Sequence, residues 1–464
     1  MLNDANIMRI MEAAMSRNAD FADIFIEKRS TSSVGLLNGK VIKAGAGCDS
    51  GVGIRLMAGT NVVYVYSNDN DAESLIKLAK EAADALKGGD KGMIKELQEK
   101  CFSTPCDIKI DPMSVKKSDN VDFLRRSSDL ALSYDPMITQ VAASYTASKR
   151  MFRVVNSEGL NKEEEQTRMR FSIETIATKG NEKQTGRIAP GSMRGYEFIN
   201  EYPIDDKTRE CCDTALRMVN AGYAPSGKMP VVLGNGFGGV IFHEACGHSL
   251  ESTAVGIKSS CFTDMLGKQI ASPIVSAYDN ARIKGEWGSY YTDDEGNESS
   301  DLLLIENGIL KNYLVDKLGG RRMNCNPTGC ARRQDYTYAP TSRMSNTYIA
   351  KGNDDPKDII ADTEYGIYCS QMGGGSVDTT TGEFNFAVNE GYMIRNGKIE
   401  EPVRGATLIG KGAEILMNID RVGNDLELAA GMCGSISGGV PVTVGQPTIR
   451  VSSILVGGRE DEEA

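Results

Sequence analysis

His243 and His248 are the only two histidines among 464 residues, and both lie in one six-residue segment. Glu244 directly follows the first of them. Neutral imidazole is the commonest transition-metal ligand, and a glutamate beside a histidine ligand is the usual general base in metal-assisted hydrolysis. The cluster therefore predicts a zinc-type hydrolytic site. Two unrelated neighbouring histidines are the plainer alternative, which the adjoining carboxylate disfavours.

The spacing of these histidines sets a condition on the backbone. They are five residues apart, whereas the H-E-x-x-H motif separates its histidines by four. On a regular helix, five residues turn the chain by roughly 500° and leave the two imidazoles about 140° apart. We therefore expect either a π-type widening or a helix that ends between the histidines. Gly247 suits both options, since glycine tolerates a positive φ angle.

A third metal ligand is needed, because catalytic zinc sites usually have three protein ligands and an open position for water. With no further histidine, the ligand must be a cysteine, an aspartate or a glutamate. Cys246 and Glu251 are close in sequence, and Cys433 lies in a glycine-rich turn that can reach a distant ion. Ligation by Cys246 would strain the single turn that it shares with both histidines. The residues alone do not rank these three candidates.

A glycine loop at residues 234–239 supplies a rival hypothesis. It matches G-x-G-x-x-G between an apolar strand and a helix, which is the setting of a dinucleotide site. The second parallel strand that such a site requires is missing, since residues 252–261 have little β-strand character. A glycine loop can equally bring backbone close to a metal site or an extended substrate. An oxidoreductase is therefore the less favoured alternative.

Composition limits the class of protein. Apolar residues make up 40% and charged residues 25% of the chain, as in soluble globular proteins. The net charge of −11 argues against a nucleic-acid backbone or an anionic membrane as the main partner. The first 20 residues lack the layout of a signal peptide, and no apolar run approaches a membrane span. We expect a cytoplasmic protein whose eleven cysteines are reduced.

The pattern of elements predicts an α+β fold with an N-terminal α+β domain over residues 1–226. Apolar residues have helical spacing at residues 4–17 and 71–86. Several short segments in which apolar and polar residues alternate lie between these two helices. A second cycle follows, with helices near residues 119–133 and 205–220. This order suggests two similar halves, although no residue-level repeat proves a duplication.

Residues 227–464 predict a second, β-rich domain that contains the metal site. Short alternating runs and many glycines favour a mostly antiparallel domain, either a sandwich or an open barrel. Only the segment after Gly239 and residues 355–362 have a helical pattern there. Asn-Gly pairs at residues 38, 307 and 396 predict tight hairpins. The acidic residues 460–463 are expected to form a solvated tail.

Several segments together resemble the TldD branch of the TldD/PmbA family of metallopeptidases. The similarity extends over the whole chain and is densest after residue 227. Five segments show it most clearly: HEACGHSLE at 243–251, TDDEG at 292–296, RMSNTY at 343–348, VGNDL at 422–426 and VGQPT at 444–448.

The resemblance implies a specific ligand set. In the family's H-E-x-x-x-H site, the two histidines and a late cysteine bind zinc, and these positions fall on His243, His248 and Cys433. Glu244 would then be the general base that takes a proton from the zinc-bound water. Cys246 occupies a variable position of the motif, which lowers its claim as a ligand.

The resemblance also implies partners and substrates. It implies a two-subunit assembly, either with a PmbA-type partner that lacks the metal motif or of two like chains. Unfolded segments or small peptides are the expected substrates, since an extended peptide can add to a strand edge through main-chain hydrogen bonds. A non-catalytic binding subunit of the family is the alternative, but such a chain should lack the ligand set. Turn formation and solvation explain Arg343, Asn346 and the run at residues 293–295 at least as well as a role in the cleft.

Overall fold

The computed structural model describes residues 2–459, so the predicted acidic tail at 460–463 lies outside the described residues. Its α-helices are α1 (Asp4–Ala14), α2 (Ala72–Ala85), α3 (Lys117–Leu132), α4 (Glu197–Glu201), α5 (Ile204–Asn220), α6 (Val240–Ala245), α7 (Ser252–Val255), α8 (Lys317–Met323), α9 (Pro356–Ala361) and α10 (Gly412–Met417). Its strands up to the glycine loop are β1 (Phe21–Leu37), β2 (Lys40–Ala58), β3 (Asn61–Ser67), β4 (Cys101–Ser103), β5 (Ile138–Asn156), β6 (Asn161–Lys179), β7 (Glu182–Ile188), β8 (Gly191–Ser192), β9 (Gly222–Tyr223) and β10 (Gly227–Leu233). The later strands are β11 (Ala277–Asn280), β12 (Asp301–Glu306), β13 (Ile309–Leu310), β14 (Ala331–Arg332), β15 (Thr341–Ser342), β16 (Asn346–Ile349), β17 (Tyr365–Val377), β18 (Glu383–Arg395), β19 (Lys398–Arg404), β20 (Thr407–Lys411), β21 (Ile419–Val422), β22 (Glu427–Ser435), β23 (Gly438–Gln446) and β24 (Ile449–Gly457).

The N-terminal part is one sheet covered by two pairs of helices. The strands run in the order β3-β2-β1-β5-β6-β4, with β7 and β8 also paired to β6. Helices α1 and α2 pack one apolar core against β1–β3, and α3 and α5 pack another against β5 and β6. The same succession of helix, three antiparallel strands and helix thus occurs twice, and the β1–β5 pair joins the two halves. The predicted α+β fold with two similar halves is confirmed.

The strands of this sheet are longer than predicted. Several short segments were expected between residues 21 and 66, but β1 and β2 pair from Phe21↔Met57 to Leu37↔Lys40 with a single register shift, between Gly35 and Leu36. Serines and glycines in the middle of both strands hide this continuity from a hydrophobic pattern. Gly51 has a packing reason, because a Cβ atom there would lie 2.2 Å from the ring of Tyr336.

The C-terminal part is mostly antiparallel β structure, as predicted. Five strands, β10, β24, β20, β18 and β17, close into a ring, so the barrel is closed and not open. A second sheet has the order β13-β12-β11-β16-β23-β22. One large apolar core lies among these strands and includes Phe242 and Ala245 of α6. The sheets therefore hold α6 firmly from several sides.

The helix prediction for this part was incomplete. Helices α6 and α9 lie where they were expected, but α7, α8 and α10 were missed. All three are short, and α8 contains two glycines, which lower its helical propensity. The side chain of Asp316 caps α8 by accepting a hydrogen bond from the Gly319 N–H, 2.9 Å away.

The Asn-Gly hairpins form as predicted. The φ angles are 48° and 72° at Asn38 and Gly39, and the two later pairs are similar. Positive φ at both central residues is the signature of a type I′ hairpin turn. The division at residues 226 and 227 stays a prediction; strand β9, which precedes it, pairs with β19, which follows it. Within residues 2–459, none of the helices is both long and apolar enough to span a membrane.

Candidate metal centre

The two histidines lie on different elements. His243 is on the last turn of α6, which ends at Ala245, and His248 is on a 3₁₀ turn that spans Gly247–Leu250. Cys246 joins them with φ −127° and ψ −53°, which lie outside the helical range. The ring centroids are 5.0 Å apart and the ring planes are 85° to each other. The helix thus ends between the histidines, one of the two expected solutions.

Gly247 contributes space and not an unusual backbone angle. It is absent from the glycines with positive φ, contrary to the role expected from the sequence. A Cβ atom at this position would lie 2.1 Å from the Met344 sulfur. A larger residue at position 247 would therefore have to displace the buried Met344 side chain.

Cys433 reaches the histidines from a distant strand. It lies on β22, opposite Val440 of β23. Its sulfur is 3.3 Å from His243 Nε2 and 3.2 Å from His248 Nε2. Within residues 2–459, these three side chains are the one group of histidine, cysteine or acidic residues whose donor atoms lie close enough to hold a metal ion.

This donor set fits a zinc-type ion. Bond lengths of about 2.3 Å to sulfur and 2.0–2.1 Å to nitrogen place neighbouring tetrahedral donors about 3.5 Å apart. Burial opposes ionisation of the Cys433 thiol, but the two imidazoles outweigh it and lower the pKa to about 3. Metal ions bind cysteine as the thiolate and histidine as the neutral imidazole. A bound cation would therefore supply the positive charge beside this sulfur in place of the imidazoles.

Glu244 lies on the donor side of His248. Its Oε2 atom is 3.8 Å from His248 Nε2, the same nitrogen that faces the Cys433 sulfur. Burial raises the pKa of Glu244, although the two histidines oppose this. A carboxylate in this position can exchange protons with a group held at the donor atoms.

The other two ligand candidates point elsewhere. Cys246 is fully buried in the apolar core, and burial raises the pKa of its thiol well above the ordinary value. Glu251 lies on the far side of the ring, with Oε2 3.3 Å from His248 Nδ1. Burial would lower the pKa of His248, yet Glu251 and Cys433 raise it well above the ordinary value. Glu251 is thus placed to orient the ring.

Two adjacent residues, Arg343 and Met344, each contact one of the two ligand-bearing segments. Met344 fills the space beside Gly247. Arg343, fully buried, donates hydrogen bonds from Nη2 to the Cys433 carbonyl at 2.6 Å and from Nη1 to the Gly438 carbonyl at 2.8 Å. One segment therefore holds the turn at His248 and the tip of the β22–β23 hairpin in register. The sequence signal was the polar RMSNTY run, but its contacts were not predictable from it.

The acidic run at residues 293–295 is buried and not solvated. All three side chains are at most 4% exposed. Asp293 Oδ1 accepts hydrogen bonds from two backbone N–H groups of its own turn, at 2.9 and 2.8 Å. Glu295 and Asp294 instead reach the N-terminal sheet. We call the following ion pairs the arginine clamp: Arg55 with Asp23 and Glu295, and Arg150 with Glu27 and Asp294.

Asn346 is also fully buried, which rules out solvation as its explanation. Its Nδ2 donates to the Asn280 carbonyl at 2.6 Å and to Ser289 Oγ at 2.8 Å. It therefore connects β16 to the end of β11 and to the loop that follows β11. It is not among the donors of the candidate metal centre.

The glycine loop before α6 packs against another strand. A Cβ atom on Gly239 would lie 2.5 Å from the backbone of Gly445, and one on Gly238 would lie 2.6 Å from Gln446 Nε2. The glycines thus let α6 begin directly beside β23, next to the hairpin that holds Cys433. Residues 252–261 begin with α7 and contain no strand, so the second strand of a dinucleotide fold is lacking there.

Comparison with known proteins assigns the chain to a family. Three family profiles match it in succession: PmbA/TldA metallopeptidase domain 1 over residues 22–86, the central domain over 110–219 and the C-terminal domain over 226–458. The chain belongs to the TldD/PmbA family of metallopeptidases. The resemblance inferred from the sequence is therefore confirmed.

Relatives in this family are named metalloproteases. A metalloprotease TldD homolog of Buchnera aphidicola (subsp. Acyrthosiphon pisum) is 34% identical over 98% of this chain and 96% of its own length. A metalloprotease of Methanocaldococcus jannaschii is 33% identical over 97% of this chain and 99% of its own. Solved structures share the fold: TldE of Thermococcus kodakarensis has a TM-score of 0.78 at 15% identity, covering 98% of this chain and all of its own.

Proposed function

We propose that the chain is a zinc-dependent peptidase in which His243, His248 and Cys433 bind the metal and Glu244 is the general base. The observation that supports this most is the convergence of three donor atoms from two segments 190 residues apart. Zinc at these donors would polarise a peptide carbonyl and lower the pKa of a water molecule toward neutrality. The metalloprotease class of this proposal comes from the names of the relatives. The ion, its ligands and the general base are our own assignment.

Each side chain has a defined task in this proposal. His243 and His248 present Nε2, and Cys433 presents its sulfur, from elements that the apolar core and Arg343 hold in place. Glu244 accepts the proton of the attacking water and returns it to the leaving amine. Burial raises the pKa of the Glu244 carboxyl toward neutral pH, which suits a group that takes up and then releases one proton.

Unfolded segments or small peptides are the proposed substrates. His243 is 2% and Cys433 4% exposed, so a folded protein cannot bring its backbone to them. The outer strand β22 is a poor edge for strand addition near Cys433. Its carbonyls at Gly431 and Cys433 already accept hydrogen bonds from Trp287 Nε1 and Arg343. The strand edge that takes the peptide stays a prediction, as do the two-subunit assembly and the cytoplasmic location.

The Glu244→Gln variant tests this function. We expect zinc content to stay at the wild-type level while cleavage of an unfolded protein such as reduced casein falls by roughly 10²–10⁴-fold, since the base is lost and the ligands are not. Metal analysis and a peptide-release assay give the two readouts. Glu12→Gln, on the exposed face of α1, is the matched control. Full activity in Glu244→Gln would remove this residue from the chemistry.

A further inference from the structure

A cavity of about 410 Å³ lies on the other side of the hairpin that holds Cys433. Residues of β5 and β6 form one wall, and Met432 and Pro441 of the hairpin lie opposite. Neighbouring residues on a strand project to opposite faces, so Met432 lines this cavity while Cys433 faces the histidines. The cavity has the size of a small-molecule site and is separate from the candidate metal centre.

The walls of this cavity are strongly basic. Seven arginines and two aspartates line it, an excess of five positive charges in a chain whose net charge is −11. The two aspartates, Asp293 and Asp294, are already engaged by backbone N–H groups and the arginine clamp. Arg29, Arg150 and Arg187 have carboxylate partners, and the other four arginines have no ion pair in the described part of the chain.

Four of these arginines donate side-chain hydrogen bonds to neutral acceptors alone in the described part of the chain: Arg168, Arg170, Arg332 and Arg333. Arg168 binds the Trp287 carbonyl at 2.9 Å, the Ser289 carbonyl at 2.6 Å and the Gln166 side chain. Burial, with repulsion from neighbouring arginines, lowers its pKa well below the ordinary value. Glu164 partly opposes this effect, but no carboxylate is hydrogen-bonded to Arg168 in the described residues. A buried guanidinium without such a partner is costly, so an anion beside it would stabilise the protein.

Arg170 and Arg332 each lie close to an aromatic ring. Arg170 lies 5.8 Å from the centre of the Trp287 ring and donates to two backbone carbonyls. Arg332 lies 5.1 Å from the centre of the Tyr290 ring, and the one hydrogen bond of its side chain within residues 2–459 runs from Nη1 to the Met344 carbonyl at 2.7 Å. The remaining N–H groups of Arg332 are left to bind another acceptor.

We propose that this cavity binds an oxoanion, a carboxylate or a phosphate group, through Arg168, Arg170 and Arg332. The planar guanidinium matches two oxygens of either group at once. Four hydroxyl side chains on β1 and β5 add further donors to the same walls: Thr31, Ser144, Thr146 and Ser148. This site is independent of the proposed peptidase function, because no ligand of the candidate metal centre lines it.

Calorimetric titration of the full chain tests the proposal, with inorganic phosphate in one arm and succinate in the other at constant ionic strength. We expect saturable binding of at least one probe with a Kd of about 1 mM or tighter. The arm that binds identifies the source of the anion. No saturable binding in either arm overturns the proposal.

Two variants locate the binding. Arg332→Gln and the half-buried Arg170→Gln should each weaken it by at least about tenfold, whereas Arg9→Gln on exposed α1 should leave it unchanged. Thermal unfolding checks that each variant is folded, and zinc content should stay the same in all of them. Unchanged affinity in both folded variants would place the anion elsewhere and overturn the assignment. Loss of peptidase activity alone has no bearing on this result.

Discussion

The arginine clamp and the candidate metal centre are both buried and charged, but they are completed in different ways. In the clamp, Arg55 Nη1 is 2.7 Å from Glu295 and Arg150 Nε is 2.6 Å from Glu27, so each charge has an opposite charge beside it. In the centre, two imidazoles and a thiolate direct their donor atoms at one another. Buried charges that pair within the protein hold two parts of the chain together. Donors that share one point are suited to a ligand from outside.

The strongest test of the metal centre removes one thiol from the centre and, as a control, one from the adjacent apolar core. Cys433→Ser should lose nearly all bound zinc, because serine does not supply a thiolate and only two protein ligands remain. Cys246→Ser should keep its zinc, since that sulfur lies in the apolar core and away from the donors. Metal analysis of both purified variants is the measurement. Loss of zinc from Cys246→Ser alone would reverse our choice of third ligand.

Breaking the clamp should affect stability and not metal binding. Arg55→Met leaves Asp23 and Glu295 buried without their cation, so we expect the free energy of unfolding to fall by about 3–5 kcal/mol. Arg9→Met removes an exposed pair with Glu73 and should cost at most about 1 kcal/mol. Urea unfolding measures both. Equal effects would mean that the clamp contributes no more than a surface ion pair.

Glu251 offers the smallest and sharpest test, because it touches a proposed ligand without being one. Glu251→Gln should weaken zinc binding by about 10–100-fold, since the amide supports the His248 ring less well than a carboxylate. Competition with a chromophoric chelator gives the affinity. Glu414→Gln, exposed on α10, is the control and should match the wild type. An unchanged affinity in Glu251→Gln would leave this carboxylate with a packing role alone.

The sequence predicted those features that depend on local backbone chemistry. Five-residue spacing excluded a straight helix through both histidines, and the chain does end α6 at Ala245. Asn-Gly pairs predicted hairpin turns, because both residues tolerate positive φ. The third ligand was not reachable in this way. Cys433 is 190 residues from His243, and only the family resemblance singled it out.

Features that depend on distant partners were missed. The run at residues 293–295 looked like a solvated turn, but the cation that binds Glu295 comes from Arg55, 240 residues earlier. Arg343 looked equally surface-like, although the Cys433 carbonyl that it binds lies 90 residues later. The sequence shows that a side chain is charged, but it does not show whether that side chain contacts water or an opposite charge. Its environment depends on contacts with residues that are distant in the sequence.

The order of the proposed ligands along the chain has a consequence for synthesis. Both imidazoles are translated before the thiolate of β22, which follows His248 by 185 residues. Cys433 is held in place by the pairing of β22 with β23, the next strand along the chain. A ribosome-bound intermediate therefore holds an incomplete cage. If the proposed ligand set is right, metal binding and peptidase activity would both require the C-terminal part to fold first.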